Sequence, residues 1–196
     1  RAATNAGISQ AKGEYIMKCD AHCAFGEGYD QILSQNCAQD WLVIPRRYSL
    51  DEANWQMDAS RVYRDYHYLT FPTPNGKYGI TMSNPSWMER SRQRKDPKFD
   101  IDDTMTFQGS CWMANKKHFL KLVGSLDDRA ETYSPFGAEP LEIGLKYWLG
   151  GAQVKVVKKA WYAHLFKKRR HYQTRLFSRR YKNILSKNLE IKNELI

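Results

Sequence analysis

The chain has 196 residues, with 31 Lys and Arg against 21 Asp and Glu, a formal net charge of +10 and 42% apolar residues. That apolar content excludes an intrinsically disordered chain, and the length suits one globular domain, or slightly more, with a core of its own. No apolar run reaches the length of a membrane-spanning helix, and Cys19, Cys23, Cys37 and Cys111 lack the paired spacing of a zinc site. Free thiols are expected, and with them a reducing, cytoplasmic location.

In chain order, residues 2–11 predict a helix that offers Ala3, Ala6 and Ile8 to a sheet, with Gly13 where helices commonly stop. Residues 15–19, Tyr-Ile-Met-Lys-Cys, predict a short buried strand running straight into Asp20 and His22. At a strand end, residues two apart point to the same side, so this carboxylate and this imidazole can converge on one ion or polar ligand. Oxygen and nitrogen donors together suit Mn²⁺ or Zn²⁺ better than Ca²⁺, which takes an all-oxygen shell. A capping Asp beside a surface His would give the same triplet.

A turn at Gly26 and Gly28 precedes a predicted helix over 29–36 with Ile32 and Leu33 inward, and 41–45 reads as a buried strand. Residues 51–68 fit a helix, with Trp55, Ala59, Val62 and Tyr66 at helical spacing, and 71–82 a hairpin with its turn at Asn75-Gly76. A charged loop is expected over 89–98. Asp100, Asp102 and Asp103 then either bind a cation or balance the neighbouring Arg90, Arg92, Arg94 and Lys95.

Residues 106–113 read as a strand interrupted by Gly109 and Ser110, the kind of break that marks close approach of a ligand or another backbone. Asn115 fits the N-cap of a helix closed by Gly124. Phe136-Gly137-Ala138-Glu139-Pro140 leads into a helix with Leu141, Leu145, Trp148 and Leu149 on one face and Gly150-Gly151 at its exit. Taken alone, Glu139 is the acid that a helix N-terminus favours. Two extended segments follow, 153–157 and 161–166, the second carrying His164.

The order Gly-Glu-Tyr-Ile, Asp-Ala-His-Cys, Gly-Ser, Phe-Gly-Ala-Glu-Pro-Leu-Glu-Ile, Gly-Gly and Tyr-Ala-His-Leu-Phe-Lys-Lys resembles the catalytic domain of A-type, family 2 glycosyltransferases. The motifs most resemble those of the polypeptide N-acetylgalactosaminyltransferases. The resemblance spans about residues 1–172. It implies an α/β, Rossmann-like GT-A fold, and a divalent cation, Mn²⁺, held by Asp20, His22 and His164 against the diphosphate of a nucleotide sugar, most simply a UDP-sugar. It also implies Gly109, Ser110, Phe136 and Gly137 at the sugar, Lys167 on the phosphates, and Glu139 in the catalytic position, facing sugar or acceptor. Inverting members carry Glu-Asp where this chain has Glu139-Pro140, so retention is favoured. The family's first nucleoside-binding strands have no counterpart before Arg1, so an incomplete sheet with an exposed strand edge is expected over a catalytic part, 1–166.

Residues 167–196 form a basic tail in which Tyr172, Leu176, Phe177, Tyr181, Ile184, Leu185 and Leu189 fit one helix face. Such a helix can pack on the domain, lie on an anionic membrane surface or bind nucleic acid. A basic nucleic-acid-binding module, or a transferase acting on modified DNA, is therefore the alternative reading.

Overall fold

The computed structural model describes residues 1–71, 73–75, 79–128 and 139–166. The helices are α1 (Ala2–Gln10), α2 (Tyr29–Gln35), α3 (Met88–Gln93), α4 (Lys116–Leu122) and α5 (Glu139–Leu149). The strands are β1 (Tyr15–Cys19), β2 (Cys23–Phe25), β3 (Trp41–Asp51), β4 (Gln56–Asp58), β5 (Thr73–Asn75), β6 (Gly79–Thr81), β7 (Ile101–Asp103), β8 (Cys111–Asn115) and β9 (Gln153–His164). Seven strands form one mixed sheet in the order β1-β8-β3-β9-β2, with β4 paired to β3 and β7 to β9. Among the described residues β1 is laddered to β8 alone, so it lies at the sheet's edge.

The centre of the sheet is the parallel pair β3 and β9. Leu42-Val43-Ile44 of β3 is apolar on both faces, and β9 adds buried Val154, Val156 and Val157 around Lys155, because both faces of the pair are covered. Leu42, Ile44, Trp112, Ala114, Val154 and Val156 pack on one side with Ile8, Phe119, Ile143 and Tyr147 from α1, α4 and α5. Val43, Met113 and Val157 pack on the other side with Leu33 of α2 and with Cys37. The Trp112 and Phe119 rings stack 5.2 Å apart at 7°, fixing α4 on β8.

The parallel ladder jumps from Pro45↔Val157 to Arg46↔Trp161. Pro45 has no N–H to donate, and Lys158, Lys159 and Ala160 are accommodated at this irregularity. The two extended segments expected at 153–157 and 161–166 are therefore one strand with a bulge, ending at His164.

Several expectations are corrected. Residues 51–68 are not a helix, because β3 continues to Asp51 and turns into β4, pairing Leu50↔Met57. Asp51 stops the strand by accepting from the Ala53 N–H at 3.1 Å, and Asp58 does the same for Ser60 at 3.0 Å. In α1 the inward residues are Thr4, Asn5 and Ile8, while Ala3 and Ala6 are exposed. In α5 the fully buried residues are Ile143, Gly144 and Tyr147, whereas of the expected stripe Leu141, Leu145 and Trp148 are half-buried, Trp148 against the core, and Leu149 is 86% exposed. The loop at 89–98 contains α3 and a 3₁₀ turn, Pro97–Phe99. Gly109 and Ser110 sit in the turn before β8, not inside a strand. The three acids are structural: Asp102 meets Arg90 at 3.2 Å and the Tyr66 hydroxyl at 2.8 Å, Asp103 meets Lys155 at 2.6 Å, and Asp100 meets Lys159 at 3.4 Å. The hairpin over 71–82 is present as β5 and β6, and Asn115 caps α4 by accepting from the His118 N–H at 3.1 Å. The basic tail lies outside the described residues.

Candidate metal centre

Two ladders end where the site begins. The last β1–β8 pair is Cys19↔Cys111, and the next residue, Asp20, donates its N–H to Ser110 O at 2.9 Å. On the other side, Cys23 pairs with His164 at the end of β9, and Leu165 N–H donates to His22 O at 3.0 Å. The turn of residues 20–22 thus carries the chain from the β8 ladder to the β9 ladder. It delivers a carboxylate and an imidazole to the place where β9 ends in a second imidazole.

The three side chains converge. One donor atom from each of Asp20, His22 and His164 lies within 4.8 Å of the other two. Asp20 Oδ2 is 3.3 Å from His164 Nε2 and 4.0 Å from His22 Nε2, and the imidazole centroids are 4.6 Å apart. Adjacent ligands bound at about 2.1 Å to one ion lie about 3 Å apart, so a small inward movement of His22 completes the set. Two nitrogens and one oxygen suit a borderline first-row divalent ion. The residues fit such an ion.

Electrostatics favour the carboxylate form. Burial pushes the Asp20 pKa up, but hydrogen bonds with His164 and Lys18, and the Lys18 charge, outweigh it and bring the value down to about 2. The neighbouring thiols experience the opposite electrostatic push. All four cysteines are unpaired, burial and the Asp20 charge push Cys23 up to about 12, and burial pushes Cys111 higher still. In the ion-free protein both thiols are therefore held protonated.

The remaining expected residues fall into two groups. Ser110 and Gly109 adjoin Asp20, through its N–H and through Lys18, and Glu139 lies beside Gly109. The Gly109 carbonyl accepts from Lys18 Nζ, and the same ammonium lies 2.5 Å from Asp20 Oδ1. A Cβ at Gly109 would sit 3.1 Å from Pro140 Cγ and 3.9 Å from Glu139 Oε2, a tight approach where the first turn of α5 closes on this loop. Glu139 Oε1 lies 3.4 Å from Thr4 Oγ1, while the Arg1 guanidinium pairs with Glu142, one turn further on. The Ser110 hydroxyl is buried against Tyr162 OH at 2.7 Å. Phe136, Gly137 and Lys167 lie outside the described residues.

Two participants escaped the sequence reading, Lys18 and Tyr162. The period-two argument that grouped Asp20 with His22 also reaches back to Lys18, but the apolar reading of 15–19 concealed it. Nothing local marks Tyr162.

No protein-family profile matches the chain. It is 27% identical over 172 residues to polypeptide N-acetylgalactosaminyltransferase 5 of Caenorhabditis elegans, covering 86% of this chain and 26% of that protein. It is 26% identical to polypeptide N-acetylgalactosaminyltransferase 3 of Mus musculus, covering 82% of this chain and 24% of that protein. The chain therefore spans about a quarter of these curated relatives. Among solved structures it is similar to the GalNAc-T7 crystal structure with UDP, GalNAc and Mn²⁺, at a TM-score of 0.60 and 17% identity over 85% of this chain and 30% of that one.

Proposed function

Because its homologues are polypeptide N-acetylgalactosaminyltransferases and its fold is GT-A-like, we propose that this chain carries the cation-holding part of a glycosyltransferase site. The reaction in this reading moves a sugar from a UDP-sugar to a hydroxyl acceptor. The observation that supports it is the convergence of Asp20, His22 and His164 from two strand ends within 4.8 Å. A divalent cation, Mn²⁺ in this reading, supplies Lewis-acid stabilisation of the charge that gathers on the departing diphosphate.

The chain's own residues prepare that step. Asp20 offers Oδ2, and the two imidazoles offer Nε2 as neutral donors, so the set brings one negative charge to a dication and leaves net positive charge for a diphosphate. Glu139 borders Gly109 at the mouth of α5, where its carboxylate can accept hydrogen bonds from sugar or acceptor hydroxyls. Pro140 cannot act as a base, which favours retention of configuration. The bond from sugar carbon to diphosphate oxygen breaks, the acceptor oxygen bonds to that carbon on the same face, and its proton passes to the departing phosphate. A basic nucleic-acid-binding module needs no carboxylate and two imidazoles aimed at one point, so it leaves the trio unexplained.

The test is UDP release by the full-length gene product across a panel of UDP-sugars, with Mn²⁺ or chelator, for wild type and His164→Ala. Turnover is expected with Mn²⁺ only, and at least about 100-fold slower in the variant. Absence of both turnover and Mn²⁺-linked nucleotide binding would overturn the reading.

A further inference from the structure

The two oxygens of Asp20 face different partners. Oδ2 faces the imidazole pair, at 3.3 Å from His164 Nε2 and 4.0 Å from His22 Nε2. Oδ1 is held at 2.5 Å by the Lys18 ammonium, which also donates to the Gly109 carbonyl. Lys18 projects from the same side of β1 as Asp20, two residues on, and it is partly exposed, at 27%. An ammonium has three donors, and two are accounted for by these partners.

We propose that Lys18 is a positioning residue of this site: it confines the cation to one Asp20 oxygen and holds a fixed positive charge beside it for the diphosphate of the donor. The proposal rests on the cation-dependent reading above. A carboxylate with one oxygen committed to an ammonium cannot chelate an ion through both, so Asp20 serves as a single-oxygen ligand. The ammonium also repels a dication a few ångströms away, so the free site holds the ion less tightly than its donor set alone would allow. Once a diphosphate arrives, the same charge becomes attractive, and the remaining donor is free for a phosphate oxygen. Lys18 therefore works in opposite directions on the two ligands, weakening the ion when it is alone and strengthening the diphosphate when the ion is present. It couples ion retention to donor binding through Gly109, whose carbonyl fixes the ammonium beside the first turn of α5.

A purely structural Lys18, stapling the turn at 109–110 to β1, would not give opposite signs. Mn²⁺ binding to the full-length protein is measured by the electron paramagnetic resonance of the free ion. Pyrophosphate and UDP binding to the Mn²⁺-loaded protein are measured by calorimetry. Lys18→Met is expected to tighten Mn²⁺ alone by roughly fivefold or more and to weaken both diphosphates by a similar factor. Lys18→Gln retains a donor for Gly109 without the charge, so it too should tighten Mn²⁺ alone and weaken the diphosphates, even if the Met variant folds poorly. Lys18→Arg should stay near wild type for both. Mn²⁺ and diphosphate affinities that are unchanged in Met and Gln variants, or that fall together, overturn the role of Lys18 alone. A wild type that binds no Mn²⁺ overturns this proposal and the cation-dependent reading together.

Discussion

At Gly26, an added methyl would lie 2.5 Å from Trp161 Nε1, and that indole is already braced edge-on by Tyr48 at 5.9 Å. A rigid ring cannot give way cheaply, so Gly26→Ala should cost about 1–3 kcal/mol in urea unfolding and weaken the adjoining β2–β9 ladder. His67 is a second residue whose environment dictates a measurable property. It is buried, its Nδ1 lies 3.1 Å from the Asn84 carbonyl, and burial, then the charges of Arg47 and Arg64, push its pKa from 6.5 down to about 4 against a smaller opposing pull from its backbone contacts. The unfolded chain binds the proton first, so the stabilisation is fully present above pH 6.5 and is lost as pH falls through about 4. This group should account for on the order of 3 kcal/mol across that window, seen as a pH slope in wild-type stability that His67→Gln removes. An equal slope in both proteins would refute the assignment.

At the scale of elements, α5 provides the clearest test because the structure rotates its buried face away from the expected stripe, leaving Leu141, Leu145 and Trp148 half-buried and Leu149 exposed. Tyr147 is fully buried against His118 and Phe119, whereas Leu149 projects outward. Tyr147→Ala should therefore destabilise by about 3–5 kcal/mol, and Leu149→Ala should stay within about 0.5 kcal/mol. Among the described residues the buried Tyr147 hydroxyl has no hydrogen-bond partner, so Tyr147→Phe should be neutral or slightly stabilising. Thermal melts of the three variants decide the face directly. The periodicity that selected Leu141, Leu145, Trp148 and Leu149 misled because α5 must pass close to residues 105 and 106. Gly144 lies against the Met105 carbonyl, where a Cβ would be only 3.3 Å away, and that contact rotates the helix.

For the whole molecule, the candidate centre joins two distant parts of the chain, β1 with its turn and the end of β9. An ion bound there cross-links the native state and has no preformed site in the unfolded one. At a concentration about 100 times its dissociation constant, Mn²⁺ should add about 2.7 kcal/mol of stability and raise the Tm by several degrees. Chelator should abolish the increment in wild type, and Asp20→Ala should lack it throughout. An equal Mn²⁺ effect in that variant would place the ion elsewhere.

The sequence alone carried the pieces whose causes are local. A run of strand formers gives β1, Asn115 caps α4 through its own side chain, and Asp20 and His22 share a side because a strand has a period of two. The order of short motifs also pointed to Asp20, His22 and His164 and to the family resemblance. What only the tertiary structure decided depends on partners remote in the chain. Residues 51–58 became a hairpin because β3 gains ladder partners on both sides, which outweighs helical spacing. Lys18 entered the site because the turn at 109–110 brings a carbonyl to its ammonium. The distance between His22 and His164, 142 positions apart, was set by the register Cys23↔His164. Such a register is an outcome of packing the whole sheet between its helices, and no window of sequence contains it.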